Sequence, residues 1–443
     1  MTVDKYGLPR DLGDGLLLRW ATAADTEAIA TFNAHIHSDT PGEPEEGLAI
    51  WTRDLMSGQH PTVSPDDFTV VVDQNAGTIV SSLNLISQVW TYEGIPFGVG
   101  RPELVGTLPE FRRRGLVRRQ MEAVHAKSAA RGELVQAITG IPWYYRLFGY
   151  EMTLNLGGSR LYVWHFRGNS SAETAGAYRL RRATPDDIPL LHQLYEVHAA
   201  ASPLACVRDE AIWRHQLAGH SEGSVHHRQY WLVETDAGEP FGYFNLFLWK
   251  HIMSIEEVAV MPGHSWRELG LYVGKVLQGM ADEHNETAEK PVRTLIFRLG
   301  DEHPMYTALG RNLERQDKPY AWYLRVPDVG AFLRHVVPAL ERRLAASVLT
   351  NHTGELKLNF YRHHLKLTFA RGQITEIAPY TPQNFEDGQA FFPDQTFLHV
   401  LFGHRSLAEL NHVRADCFAR DAGTEVLLNC LFPTRHSSLF PLS

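Results

Sequence analysis

Apolar positions in this chain fall into short runs bounded by polar turns, with helical periodicity between some of them. Leu16-Leu17-Leu18-Arg19-Trp20 reads as a strand, and Thr22 is placed to cap a helix over 24–35, with Asp25 and Glu27 in its first turn. A β-branched run over 68–73 ends at the turn Asn75-Ala76-Gly77, and a long strand over 78–90 follows. Glu93-Gly94 breaks it, and a return strand contains 103–108. Residues 118–127 have the pattern of an amphipathic helix, and 134–138 of another strand. Strands interleaved with helices predict a mixed α/β sheet, within an α+β chain.

A second round repeats the first. Tyr178-Arg179-Leu180-Arg181-Arg182-Ala183-Thr184 parallels Leu16 to Thr22, each a strand followed by Ala-Thr and an acidic helix start. A strand over 254–260, a helix over 267–280 and a strand over 295–298 complete the parallel, which reads as an internal duplication. The polar run Gly168-Asn169-Ser170-Ser171-Ala172-Glu173-Thr174 reads as a linker. Beyond 327 the pattern changes: a helix over 329–344 precedes three antiparallel strands near 354–358, 365–369 and 374–377, with turns at His363-His364 and Arg371-Gly372. The expected domains are 1–166, 175–326 and 327–443.

At 443 residues the chain exceeds what single cores of up to ~250 residues accommodate. The net charge of -9 disfavours nucleic acid and anionic membranes as partners and suits a cationic substrate. Three scattered cysteines, Cys206, Cys417 and Cys430, make no disulfide framework, so a cytoplasmic location is expected. No apolar run is long enough to span a bilayer, and no signal core follows Met1. The adjacent pairs His226-His227 and His363-His364 point their side chains apart, so no metal is expected.

The chemistry concentrates in Pro109-Glu110-Phe111-Arg112-Arg113-Arg114-Gly115-Leu116-Val117-Arg118-Arg119. A strand, a short loop with glycine and a helix start leave unpaired amides pointing from the helix end, where arginines add permanent charge. That combination fits a pyrophosphate-bearing ligand such as coenzyme A. A solvated cationic face is the plainer alternative.

With that loop in place the first region resembles the GNAT N-acetyltransferases, whose phosphate loop reads Arg/Gln-x-x-Gly-x-Gly/Ala; here it is Arg112 to Val117, with Val117 replacing the small residue. The whole chain resembles the narrower enhanced-intracellular-survival (Eis) acetyltransferases: two GNAT modules, the second degenerate, then a sterol-carrier-like domain. Tyr145-Arg146-Leu147-Phe148-Gly149-Tyr150 is similar to that family's Tyr-Gly-Arg-Phe-Gly-Tyr. The resemblance implies acetyl-CoA as cosubstrate, with the main chain at Val105, Gly106 and Thr107 beside the thioester. The loop amides of Arg113, Arg114, Gly115, Leu116, Val117 and Arg118 would hold the pyrophosphate, and Gly140 would contribute backbone contacts. It places Tyr145 as the acid that protonates the thiolate, with Tyr144 pointing elsewhere. The base is the Ser443 carboxylate or, as in many simpler GNAT enzymes, Glu103. His35, His37 and Asp39 are possible acceptor-pocket residues, and Glu43, Glu45 and Glu46, in a loop with Pro41, Gly42 and Pro44, could attract a cation.

The expected function is transfer of acetyl to a primary amine, on a polycationic small molecule such as an aminoglycoside or on a lysine of a protein. By resemblance the enzyme is a homo-oligomer, a hexamer in the family. The rival reading is a non-catalytic acyl-CoA or lipid-binding protein on retired GNAT modules.

Overall fold

The computed structural model describes residues 3–40, 42–164, 178–249, 251–437 and 439–443; the expected linker over 168–174, Pro41 and the first two residues lie outside them. The first region runs β1 (Arg10–Asp11), β2 (Leu16–Trp20), α1 (Thr26–Ile36), α2 (Glu46–Met56), β3 (Phe68–Asp73), β4 (Thr78–Tyr92), β5 (Ile95–Thr107), α3 (Leu116–Ala130), β6 (Val135–Ile138), β7 (Glu151–Leu156) and β8 (Ser159–Tyr162). The helix expected over 24–35 opens as a tight turn, Ala23–Asp25, because the Asp25 carboxylate accepts from the Thr22 N–H (2.8 Å) and hydroxyl (2.9 Å). The acidic segment expected to be a loop becomes α2 from Glu46 onward, since Trp51, Leu55 and Met56 bury one face of it.

The second region runs β9 (Tyr178–Arg182), α4 (Ile188–Ala199), β10 (Leu204–Cys206), α5 (Glu210–Ala218), β11 (Gln229–Thr235), β12 (Pro240–Trp249), β13 (Ile252–Ile255), β14 (Val258–Val260), α6 (Trp266–Asn285), β15 (Thr294–Phe297), α7 (Pro304–Leu309), β16 (Leu313–Asp317) and β17 (Tyr320–Arg325). Its opening copies the first: Thr184 and Asp187 form the same box, and Arg181 grips Asp187 as Arg19 grips Asp25. The strand expected over 254–260 is broken in two. The Glu256 and Glu257 N–H groups donate sideways to Asn245 Oδ1, at 2.9 and 2.8 Å, and leave the ladder there.

The third region holds α8 (Val329–His335), α9 (Val337–Ala345), β18 (Gly354–Asn359), β19 (His364–Ala370), β20 (Gln373–Pro379), β21 (Ala390–Phe391), α10 (Phe397–Leu401), α11 (Leu407–Val413), β22 (Phe418–Ala419) and α12 (Ala422–Leu431). The single helix expected over 329–344 is two, because Pro338 has no N–H to continue the ladder and sits in the first turn of α9.

Among the described residues three sheets form, and two of them exchange strands. The first has the order β1-β2-β3-β4-β5-β6-β17-β7, so β17 of the second region lies between neighbours of the first. Reciprocally, β8 lies between β15 and β16 of the second sheet. The third sheet is β20-β19-β18-β21-β22. One apolar cluster joins the first sheet (Trp90, Phe97, Trp322) to the third region (Phe332, Leu340, Phe397) and to the tail residues Leu439 and Leu442.

Candidate functional site

The site begins where two parallel strands part. β5 and β6 pair at Val99↔Val135 and Gly100↔Gln136, and β5 then runs on to Thr107 without β6 alongside. On its other side a bulge sets Leu104 and Val105 against Leu83 alone, and Leu104 takes φ 52°, the left-handed region. The diverging strands leave main-chain groups of β5 facing a cleft instead of a neighbour. Gly106 lets α1 close over it: a Cβ there would stand 2.7 Å from Ile36 Cγ2 and 3.0 Å from Phe32 Cε1.

A cavity of about 650 Å³ occupies the cleft. Val105, Gly106 and Thr107 form one wall, and Arg113, Gly115, Leu116, Val117 and Arg118 another. Arg113 at φ 63° and Gly115 at φ 75° turn the loop so that successive amides face one concavity, a backbone geometry that receives anions. Gly115 occupies the cap position of α3, and no side chain accepts from the first-turn amides. Those donors therefore face the cavity unsatisfied. Arg112 also lines the cavity, and its Nε donates to the Thr107 carbonyl at 3.2 Å. Arg114, expected to contribute its amide, instead turns outward to Asp14, 2.6 Å away, and is not among the residues lining the cavity.

Tyr144, expected to point elsewhere, lines the cavity with Ile141, Leu147 and Phe148. Tyr145 is buried behind it at 4% exposure, in the turn Tyr144–Phe148, packed against Tyr323 of the exchanged β17. A Cβ on Gly140 would lie 3.7 Å from the Tyr145 hydroxyl, so this residue at φ 112° leaves space above it. The Gly140 carbonyl already accepts from Tyr320 of β17 at 2.7 Å. Burial, and next the charge on Glu103, push the Tyr145 phenol well above its ordinary value, so it keeps its proton. Burial raises Glu103 as well, against the opposing pull of Arg101.

Arg101 ties this corner to the far end of the chain. Its guanidinium donates to Glu103 and to the Leu442 carbonyl, and Gln88 Nε2 donates to the same carbonyl at 2.9 Å. The Ser443 oxygen accepts from Gln216 Nε2 at 3.0 Å, and His60 and His215 face it. Ser443 thus lies buried between His60 of the first region and His215 and Gln216 of the second, and neither it nor Glu103 lines the cavity. His37 lines the cavity, while His35 and Asp39 are exposed.

The second region retains the frame without the ligand end. Its α6 starts at Ser265, whose hydroxyl accepts from the Glu268 amide at 3.2 Å and so occupies the helix end. Tyr306-Thr307-Ala308-Leu309-Gly310 has the Tyr-x-x-x-Gly spacing of Tyr145 to Gly149. The Tyr306 hydroxyl, however, accepts from the Leu299 N–H (2.9 Å) and donates to the Phe297 carbonyl (3.0 Å), so it is consumed by the backbone.

Sequence reasoning missed Arg101, Gln216 and the counterpart role of Tyr306. Only the last had a signal, the repeated spacing. Among the described residues no group of three or more His, Cys, Asp or Glu is placed to hold a metal ion, and no helix is long and apolar enough to cross a membrane.

Residues 19–153 match the family model described as an acetyltransferase (GNAT) domain. Solved structures share the fold along nearly the whole chain. A GCN5-related N-acetyltransferase from Kribbella flavida has 17% identity and a TM-score of 0.64, covering 97% of this chain and 98% of that one. A probable N-acyltransferase from Enterococcus faecalis has 12% identity and a TM-score of 0.67, over 97% and 99%. Eis1 from Mycobacterium abscessus has 16% identity and a TM-score of 0.59, over 97% and 99%. No curated protein matches the sequence significantly. The fold is a mixed α/β one of the GNAT kind, consistent with two GNAT modules in tandem.

Proposed function

We propose that this chain is an N-acetyltransferase that moves acetyl from acetyl-CoA to a primary amine by direct attack, within the first module. The observation that carries the reading is the uncapped start of α3 at Gly115, facing a cavity of about 650 Å³ lined by Arg112, Arg113 and Arg118. A diphosphate fits these residues, since amides and guanidinium groups both donate to it. The α6 start, capped by Ser265, offers no such place. Bound there, acetyl-CoA supplies a thioester carbon and a thiolate leaving group. Main-chain N–H groups on the cavity wall at Val105 to Thr107 polarise the carbonyl, and Tyr145 protonates the thiolate.

The amine's proton ends on a buried carboxylate, that of Ser443 or that of Glu103, and Arg101 couples the two segments. The acceptor is an amine of a polycationic small molecule or a protein lysine, in line with the net charge of -9. The domains proposed are 1–166, 175–326 and 327–443, with sheets that exchange strands across the first boundary and a third domain of sterol-carrier kind. A cytoplasmic homo-oligomer completes the proposal.

Calorimetry with CoA, followed by thiol release from acetyl-CoA with a panel of polyamines and lysine peptides, tests it. Binding with turnover is expected. Binding without turnover on any amine would return the non-catalytic reading, and no binding would end both. Removal of the last residues distinguishes the two carboxylates: unchanged turnover would assign Glu103.

A further inference from the structure

Neither Glu103 nor Ser443 lines the cavity in which the amine would meet the thioester, but His37 does. It follows α1 directly, and its N–H donates to the Asn33 carbonyl at 3.2 Å, so the two residues lie one turn apart on one face of the helix. The Leu104 carbonyl, at the bulge of β5, faces the imidazole. A carbonyl only accepts, so one ring nitrogen keeps its proton there and the other presents a lone pair. The buried Nε2 has no hydrogen-bond partner.

The surroundings share that lack. Asn33 Oδ1, Ser82 Oγ and both polar atoms of Asn84 are buried without partners. Ser82 pairs with Gly106, whose missing Cβ faces α1, and Asn84 pairs with Glu103. An unpaired buried polar group costs roughly 1–3 kcal/mol. Asn33, Ser82 and Asn84 are, however, fully buried away from the cavity, and Asn33 Nδ2 donates to Thr52 of α2. Of these groups His37 alone stands on the cavity wall. The charged and titratable groups lining the same cavity are Arg112, Arg113, Arg118 and Tyr144.

We propose that His37 is a catalytic residue, the first acceptor of the proton leaving the attacking amine. The inference rests on the acetyl-transfer reading and deepens it. An N–H bond of the ammonium breaks and its proton joins the free ring nitrogen. The released lone pair forms the C–N bond, collapse breaks the C–S bond, the thiolate takes its proton from Tyr145, and the second proton still on the nitrogen returns to the Tyr145 phenolate, which leaves a neutral amide. The imidazolium then passes the extra proton to the buried carboxylate or to solvent. Burial holds His37 below its ordinary pKa, which keeps the ring neutral and ready.

His37→Gln and His37→Ala test this, measured with acetyl-CoA and the best amine of the panel. The expected result is a fall in kcat of about 10²-fold or more, unchanged CoA affinity by calorimetry, and loss of the acidic limb of the pH–rate profile. Added imidazole should restore part of the His37→Ala rate. A kcat within about threefold of the parent would overturn the proposal. So would a fall in rate that imidazole does not relieve while the pH profile keeps its shape. If the parent protein binds CoA yet acetylates no amine, it is the transfer reading that fails, and the role of His37 goes with it.

Discussion

Arg101 and Leu442 stand 341 positions apart in the chain and are joined by a guanidinium–carbonyl hydrogen bond. The same guanidinium holds Glu103 and lies 4.9 Å from the Trp322 ring. One buried cation thereby fixes the first module's sheet, the exchanged strand and the tail together.

Arg101→Met leaves the Glu103 carboxylate buried without its counter-charge. Losing one partner of a buried pair costs about 3–5 kcal/mol. Urea unfolding should show a loss of that size, and limited proteolysis should show faster trimming from the Ser443 end. A loss under about 1 kcal/mol with an intact tail would mean that Arg101 is not the tie.

Two tyrosines at matching positions should behave oppositely. Tyr145→Phe removes the proposed acid and should lower kcat by about 10²-fold or more, with CoA affinity kept. Tyr306→Phe leaves the Leu299 N–H and the Phe297 carbonyl unpaired and should cost roughly 1–3 kcal/mol of stability, with turnover retained. Steady-state kinetics beside thermal unfolding reads both, and equal turnover losses would refute the contrast.

The two helix starts give a second opposed pair. Gly115→Ala forces a side chain into the left-handed region at a cost of about 1–2 kcal/mol, which should reshape the loop and weaken CoA binding roughly tenfold or more. Ser265→Ala should cost about 1 kcal/mol of stability through the lost cap and leave CoA affinity alone. Calorimetry on both variants checks the assignment of the ligand to the first module.

Acid should destabilise the protein from near neutrality. Burial, then the neighbouring His215, lowers His60 to about 3, and burial, then His215 and His60, lowers His220 to about 2. The folded state keeps both neutral, whereas the unfolded chain binds their protons below about 6.5. Their contribution is full above that pH and declines as pH falls toward the folded values, by about 1.4 kcal/mol per group per pH unit. Urea midpoints should therefore drop between pH 7.5 and 5.5, and the double variant His60→Gln, His220→Gln should drop less. Equal slopes would exclude this cluster as the cause.

The arginine-rich turn ahead of a helix was legible because its elements are local. The β5 strand, the Arg112 to Gly115 turn and the α3 start are contiguous, and glycine at a helix start is itself a conformational signal. The repeated capping boxes were legible for the same reason. Pro338 shows a local signal that was present and outweighed by the apolar spacing around it. The acidic segment stays irregular through Glu45, as charge and proline suggested, and only Glu46 joins a helix, because Trp51 and Leu55 further along bury one face of α2.

The chain by itself determined the mixed α/β class, the repeated capping boxes, the arginine-rich turn before a helix and the tyrosine turn, since each follows from residues within one or two elements. Only the tertiary structure decided which tyrosine keeps a free hydroxyl, which histidine reaches the cavity and where the tail docks. The exchange of β8 and β17 between sheets belongs to the same class. All of these depend on segments that meet after collapse, where burial and unpaired hydrogen bonds favour one partner among many and sequence distance carries no weight.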